Sequence, residues 1–476
     1  MKTTRIDLPV MASWMESNQR RLDGKPYLSG AFEAREILRR LSVPKETLKS
    51  LTIGGMKGIF IAPYFKRVYV EDLKHGIPLL GNNDILKADL STASLLSKKV
   101  FNQYHSGLEL KEGWTLITCF GTVGNMAYCR EDMAKCAGST NFMRVVPDPN
   151  NIYPGYLYAF LSSKFGVPLV TEHETGSVIP NLLPNHIADL PVPRLGDEIE
   201  AEVHELVEEA AKLRTEASVL LYSAIQKLED TAGLPHLPRN YIHSEPDTSV
   251  ASSRLLVSRL DGLFHSSYHK SALDPLMQLP ESMRTTVGEM AKSIVEPTRF
   301  KRVQVDDAEH GIPFFGTASI MWVEPEPAYY IPKKMAGINE YVVTGKTVLI
   351  PRSGQLSGII GHPVLPYGPM IGGAVSEHGI RVMADSEIIA GYLFIALVSE
   401  YGRRQLKSRA FGSSIPTLDI NMIRQVIIPK LADQYIEEIG GAGWQTSQLR
   451  SKAIEREHQA RKTVETAIEK GAASNL

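Results

Sequence analysis

FKRVYVEDLKHGIPLLG, which starts at Phe65, is answered by FKRVQVDDAEHGIPFFG, which starts at Phe300. Eleven of the seventeen positions are identical: Phe65, Lys66, Arg67, Val68, Val70, Asp72, His75, Gly76, Ile77, Pro78 and Gly81 match Phe300, Lys301, Arg302, Val303, Val305, Asp307, His310, Gly311, Ile312, Pro313 and Gly316. The offset from 65 to 300 is 235 residues. Solenoid units run to about 20–50 residues, so this period marks a duplicated domain.

The correspondence extends both ways. Upstream, RLDG at Arg21 recurs at Arg259, and TIGGM at Thr52 is matched by TVGEM at Thr286. Downstream, KEGWTLITCFGTVG (Lys111 to Gly124) lines up with VTGKTVLIPRSGQLSG (Val343 to Gly358). Each is a β-rich run ending in a Gly-rich turn, which predicts a strand leading into a loop. NFMRVV around Arg144 matches HGIRVM around Arg381. GYLYAFLSSKFG at Gly155 and GYLFIALVSEYG at Gly391 read as amphipathic helices. GSVIPNL at Gly176 and GSSIPTL at Gly412 read as scaffold turns, and the copies close on LPVP at Pro193 and VIIP at Pro429.

A long helix is expected after each copy. Asp197 to Asp230 holds no Gly or Pro. Ile199, Leu206, Leu213 and Leu220 recur every seven residues, and Val203, Ala210, Ala217 and Ala224 form a second series offset by four. The two series predict the seam of a heptad repeat. Between Asp433 and Lys470 the seam is carried by Tyr435, Ile439, Ala442, Leu449, Ala453, Ala460 and Ala467. Thr446, Arg456 and Thr463 interrupt it, and Gly440, Gly441 and Gly443 weaken its first turns by about 1 kcal/mol each. The simplest partner for each helix is the other. Thr231 to Ser253, with Pro235, Pro238 and Pro246, reads as a linker. The expected organisation is α+β: a first globular copy over 1–196, a helix over 197–232, linker and second copy over 233–432, and a second helix over 433–476.

Bulk properties are those of a soluble globular chain of 476 residues, 43% hydrophobic and 22% charged. Net charge is −1, from 52 basic and 53 acidic side chains. Any contact with nucleic acid must therefore use a local basic face. Cys119, Cys129 and Cys136 lack zinc-site spacing and read as buried thiols of a reducing compartment. Arg5 and Asp7 break any secretory start, and the apolar run Ile388 to Val398 is too short to cross a bilayer. The expected location is the cytoplasm.

Enzyme signatures do not assemble. GKT at Gly345 lacks the phosphate-loop glycine, since Glu340 stands there. Asp84, Glu109 and Lys111 could imitate a nuclease metal site, but Ser319, Tyr341 and Val343 replace them in the second copy. His75 and His310 precede glycines in repeated turns, where local backbone bonding is the plainer role. No catalytic or metal-ligating residue is assigned.

What the two copies do not share is the turn after the strand, CFGTVGNMAY against PRSGQLSGII. Thr122, Asn125, Arg352, Ser353 and Gln355 are residue types that bond base edges or phosphates. Arg403, Arg404 and Lys407, in YGRRQLKSRAFG, add a candidate phosphate-binding face.

In the doubled order GIPLLG/GIPFFG, TLITCFGTVG/TVLIPRSGQLSG, GYLYAFL/GYLFIAL, GSVIPNL/GSSIPTL and LPVP/VIIP before a long helix, the chain resembles the DNA-specificity (S) subunits of type I restriction–modification systems. The resemblance runs from about Leu51 to Glu469. It implies that each copy is a target-recognition domain reading one half of a split, asymmetric site on double-stranded DNA. It implies that the long helices pack antiparallel as a coiled coil and set the spacer. Two modification subunits, which carry AdoMet and methylate adenine, would dock there, and a translocating restriction subunit using ATP and magnesium would join. No cofactor is expected in this chain itself, and its near-neutral charge leaves much of the phosphate contact to the modification subunits.

Overall fold

The computed structural model describes residues 12–17, 27, 29–172, 174, 180–238, 247–248, 250–257, 259–305, 308–335 and 337–474. The chain divides into two units. One is Met1–Thr215 with Ala453–Leu476, and the other is Glu216–Lys452.

In the first unit, Lys45–Thr47 pairs antiparallel with Pro191–Pro193, so the LPVP stretch closes the copy on its own beginning. A four-stranded antiparallel sheet runs Ile59–Ile61, Phe142–Val145, Thr115–Thr118, Met126–Tyr128. A second sheet runs Tyr69–Val70, Leu95–Ser97, Gly76–Leu80, Ala137–Gly138, its last pair parallel.

The second unit repeats this plan with weaker margins. Arg284–Thr286 pairs with Ile427–Pro429. Its sheets run Ser293–Val295, Gly379–Met383, Thr347–Pro351 and Tyr329–Pro332, Gly311–Phe315, Ala374–Val375, again with the last pair parallel. The segment after Pro238 includes residues 239–246 and 249, which lie outside the described set. Residues 233–238 belong to the second unit's packing, with Leu234 and Leu237 buried in its core.

Each copy pins its two sheets with one buried arginine. Arg144 donates to the carbonyls of Gly138 at 2.7 Å, Ser139 at 3.0 Å and Phe142 at 3.1 Å. Arg381 donates to Val375 at 2.5 Å, Ser376 at 3.0 Å and Gly379. Burial lowers the pKa of each guanidinium to about 10, because a charged group loses hydration that carbonyl dipoles only partly replace.

The GYLYAFL and GYLFIAL helices differ from the amphipathic expectation. In α1, Pro154–Leu161, every residue from Gly155 to Leu161 is buried, and in α3, Glu387–Val398, the same holds from Ala390 to Leu397. They are apolar all round because each is enclosed by its unit's main core.

The long helices are α2, Asp197–Ala232, and, after the shorter α4 (Glu400–Arg409), α5, Asp433–Ala473. They run antiparallel: Arg214 meets Glu457 in the first unit and Lys227 meets Glu438 in the second. The seam needs one correction. Val203, Ala210, Ala217 and Ala224 are buried as expected, but Ile199, Leu206, Leu213 and Leu220 are only half-buried. Val207, Arg214, Leu221 and Leu228, one residue further on, fill the other row. Spacings of four then three (203, 207, 210) and of three then four (203, 206, 210) both satisfy a heptad. The choice is made by the globular copy, whose core takes Ile199 and Leu206 along its edge. On α5, Leu449, Ala453 and Ala460 are buried, and so is Thr446, whose hydroxyl donates to Ala442 at 3.0 Å rather than interrupting the seam.

The glycines of α5 also have a packing reason. A β-carbon on Gly391 would lie 2.1 Å from the Gly440 carbonyl oxygen, and one on Gly443 would lie 2.6 Å from the Gly391 carbonyl oxygen. In the first unit the equivalent Gly155 faces α2, where a β-carbon would meet His204 at 2.8 Å. The shared GYL glycine thus lets the central helix of each copy touch the first turns of the long helix that follows it.

Candidate nucleic-acid interface

The divergent loops begin from bases built alike. In the first copy Leu182 N–H donates to Cys119 O at 2.9 Å and Gly121 N–H to Pro180 O at 3.0 Å, and Phe120 bridges Asn181. In the second, Leu418 N–H donates to Arg352 O at 2.7 Å and Gly354 N–H to Pro416 O at 3.2 Å, and Ser353 bridges Thr417. Cys119, Phe120 and Gly121 are therefore the counterparts of Arg352, Ser353 and Gly354. The GS-x-IP-x-L turn, expected to be mere scaffold, is what anchors the loop. Residues 176–179 of its first copy lie outside the described set.

Beyond the base the loops part company. The returning strand pairs Leu116 with Ala127 in the first copy, and Leu349 is bridged to Val364 in the second. The second loop is thus four residues longer. Thr122 is exposed at the tip of the first, where Gln355 is exposed in the second. Gln355 is steadied by a bond from Nε2 to Ser414 O at 3.4 Å. Asn125 is half-buried and turns the chain back: its carbonyl accepts from Thr118 N–H at 2.8 Å, and its own N–H donates to Thr118 Oγ1 at 3.0 Å. Ser353 Oγ lies 3.3 Å from Thr417 Oγ1.

Arg352 is half-buried and ion-paired with Glu296. Its guanidinium is already engaged, so it frames the loop rather than reaching out from it. Around it the turn presents apolar surface that the sequence did not advertise: Ile415 is 67% exposed and Phe411 45%. Such groups can meet a thymine methyl. In the first copy Asn82 Nδ2 supports the loop through Phe120 O at 2.6 Å.

The basic cluster of α4 is not part of this surface. Arg404 is 0% exposed and Arg403 is buried, both paired with Glu400. Arg404 also donates to Ser271 Oγ at 2.6 Å and stacks over Tyr268. Burial takes both arginines out of reach of a phosphate. α4 lies against the helix Ser267–Gln278, so its charged residues turn inward. Lys407 is half-buried.

Cys119, Cys129 and Cys136 are buried free thiols, and burial pushes the first and last up to about 12 and the middle one higher still. They are poor nucleophiles and poor ligands in that state. Asp84 accepts from Gly81 N–H at 2.9 Å and from Lys87 at 2.7 Å, while Glu109 meets Lys111 at 3.4 Å. Among the described residues no group of three or more His, Cys, Asp or Glu could hold a metal ion, and no helix is long and apolar enough to cross a membrane.

No protein-family model and no curated relative matches the chain. Among solved structures it is similar to the S subunit of a type I restriction–modification system from M. genitalium, with 14% identity over 90% of this chain and 96% of that one, at a TM-score of 0.35. It is similar to the HsdS subunit from Thermoanaerobacter tengcongensis, with 14% identity over 91% and 97%, at 0.27. It is also similar to a chain from a structure on complex assembly and conformational transition of the type I restriction–modification system, with 13% identity over 91% and 100%, at 0.26. The chain resembles these subunits along nearly its whole length.

Proposed function

We propose that this chain is a non-catalytic, sequence-reading DNA-specificity subunit of a type I restriction–modification assembly. One observation carries the reading. Two copies of one fold hold a loop by the same pair of backbone hydrogen bonds, yet present tips that differ in sequence and by four residues in length. A shared frame with variable tips is the economy expected of two readers of two different half-sites. Thr122 in the first copy and Gln355 in the second are the tip residues best placed to touch bases.

In this reading the paired helices α2 and α5 set the spacer between half-sites and offer their outer faces to two modification subunits. AdoMet, ATP and magnesium belong to those subunits and to the restriction subunit. A chain that only scaffolds would bind duplexes irrespective of sequence.

The test is an exchange of loops. Putting residues 117–126 in place of 350–363, then mapping methylated adenines in cells that express the assembly, should change the second half-site only. Changes in both halves, or methylation with no two-part pattern, would remove the proposal.

A further inference from the structure

The stretch that reveals the duplication has no role in the loops, and a shared segment of this kind would ordinarily be scaffold. Its burial says otherwise. Within Pro63–Val68 only Phe65 is buried, packed against Tyr104. Tyr64 is 91% exposed, and Lys66 and Arg67 stand in solvent with no ion pair among the described residues. Burial explains why two copies share a phenylalanine. It does not explain why they share exposed cations.

A second pair of cations joins them. Ser97 N–H donates to Val68 O at 2.8 Å, which sets the start of the Lys98–Gln103 helix beside the segment. Lys98 Nζ caps the neighbouring turn at Lys74 O, 3.0 Å, and Lys333 does the same at Glu309 O, 2.7 Å. The next residues, Lys99 and Lys334, are exposed and form no ion pair among the described residues. Glu71 and Asp72 are the acidic neighbours, and Asp72 is turned to the N–H of Lys74 at 2.8 Å.

The second copy fixes where this margin lies. Lys301 is exposed and unpaired among the described residues, but Arg302 donates to both oxygens of Glu377 at 2.9 Å. The next residue, His378, accepts from Arg352 N–H at 2.8 Å, so the segment borders the base of the loop. With Arg381 aligned on Arg144, Thr140 takes the place of Glu377 in the first copy. Arg67 is thereby left without a carboxylate.

We infer that Lys66, Arg67 and Lys99 in the first unit, and Lys301 and Lys334 in the second, grip the sugar–phosphate backbone beside each reading loop without regard to sequence. The inference rests on the DNA-reading proposal. Where the loops differ, the bases differ, and what the two half-sites share is phosphate. Exposed cations kept in both copies suit that shared partner.

The test measures how binding of the full chain to duplex DNA depends on salt, using a random-sequence duplex and any duplex the chain selects from a random pool. Lys66→Gln, Arg67→Gln and Lys99→Gln combined should reduce the slope of log affinity against log salt by about 0.9 per charge removed. Both duplexes should weaken by the same factor. Lys301→Gln with Lys334→Gln should reduce it less, having two charges to lose. The charge-preserving set Lys66→Arg, Arg67→Lys and Lys99→Arg should keep the slope. An unchanged slope in the triple variant, or an altered preference between sequences, would overturn the assignment. If the wild-type chain selects no sequence while the slope still falls, the reading proposal fails and the grip stands. A selected target with an unmoved slope is the converse.

Discussion

Gly391 faces Gly440 so closely that a β-carbon on the first would sit 2.1 Å from the carbonyl oxygen of the second. Neither side of that contact is a flexible side chain, so a methyl group can be accommodated only by moving a helix. Gly391→Ala should cost about 1–3 kcal/mol or more through overpacking, read as a lower thermal midpoint. Gly155→Ala should behave alike in the first unit. An unchanged midpoint in either would mean that the helices do not meet at glycine.

Glu457 gathers a buried polar network in the first unit. It pairs with Arg214 and with Arg461 at 3.0 Å, and the Tyr158 hydroxyl donates to it. Glu457→Gln leaves Arg214 charged and buried without its carboxylate, which should cost roughly 3–5 kcal/mol. Chemical denaturation of the full chain checks this. A double change to apolar residues at 214 and 457 should recover much of the loss, since it removes the unpaired charge as well.

His269 gives the second unit a pH dependence of definite sign. Burial, helped by the charges of Arg409 and Arg259, pulls its pKa down from 6.5 to about 3. The native imidazole stays neutral while the unfolded one gains a proton, so stability is full above pH 6.5 and falls as the pH drops toward 3. His269→Gln should flatten that part of the unfolding profile. A profile with the wild-type slope in the variant would assign the acid sensitivity elsewhere.

If α2 and α5 set the spacer, they must be lengthened together, because each is the other's partner. Seven residues added to both, after Thr215 and before Ala453, keep the heptad phase. They extend the pair by about 10 Å, or about 3 base pairs of duplex. The methylated half-sites should move apart by that amount. An unchanged spacer would refute the measuring role of the helices.

The duplication, the strand-to-loop turns and the two long helices were legible in the sequence because each leaves a local or periodic trace. Other features left none. The seam slipped by one residue because Leu206 and Val207 both fit a heptad, and only the neighbouring core decides between them. Arg403 and Arg404 look like a basic face until Glu400, one helical turn away, draws them inward. Gly440 read as a weak point because a close approach is invisible without the helix that makes it. The role of the GSSIPTL turn depended on bonds to Arg352 and Gly354 across some sixty residues of chain, a span that no local pattern reports.

The first unit draws its core from stretches far apart in the sequence: Ala460, Val464 and Ile468 share one cluster with Val203 and Val207. During translation, everything through Thr215 leaves the ribosome long before Ala453 does. The apolar flank of α2 that awaits those residues must stay unfilled while the second copy is made. The copy synthesised first is therefore the one completed last.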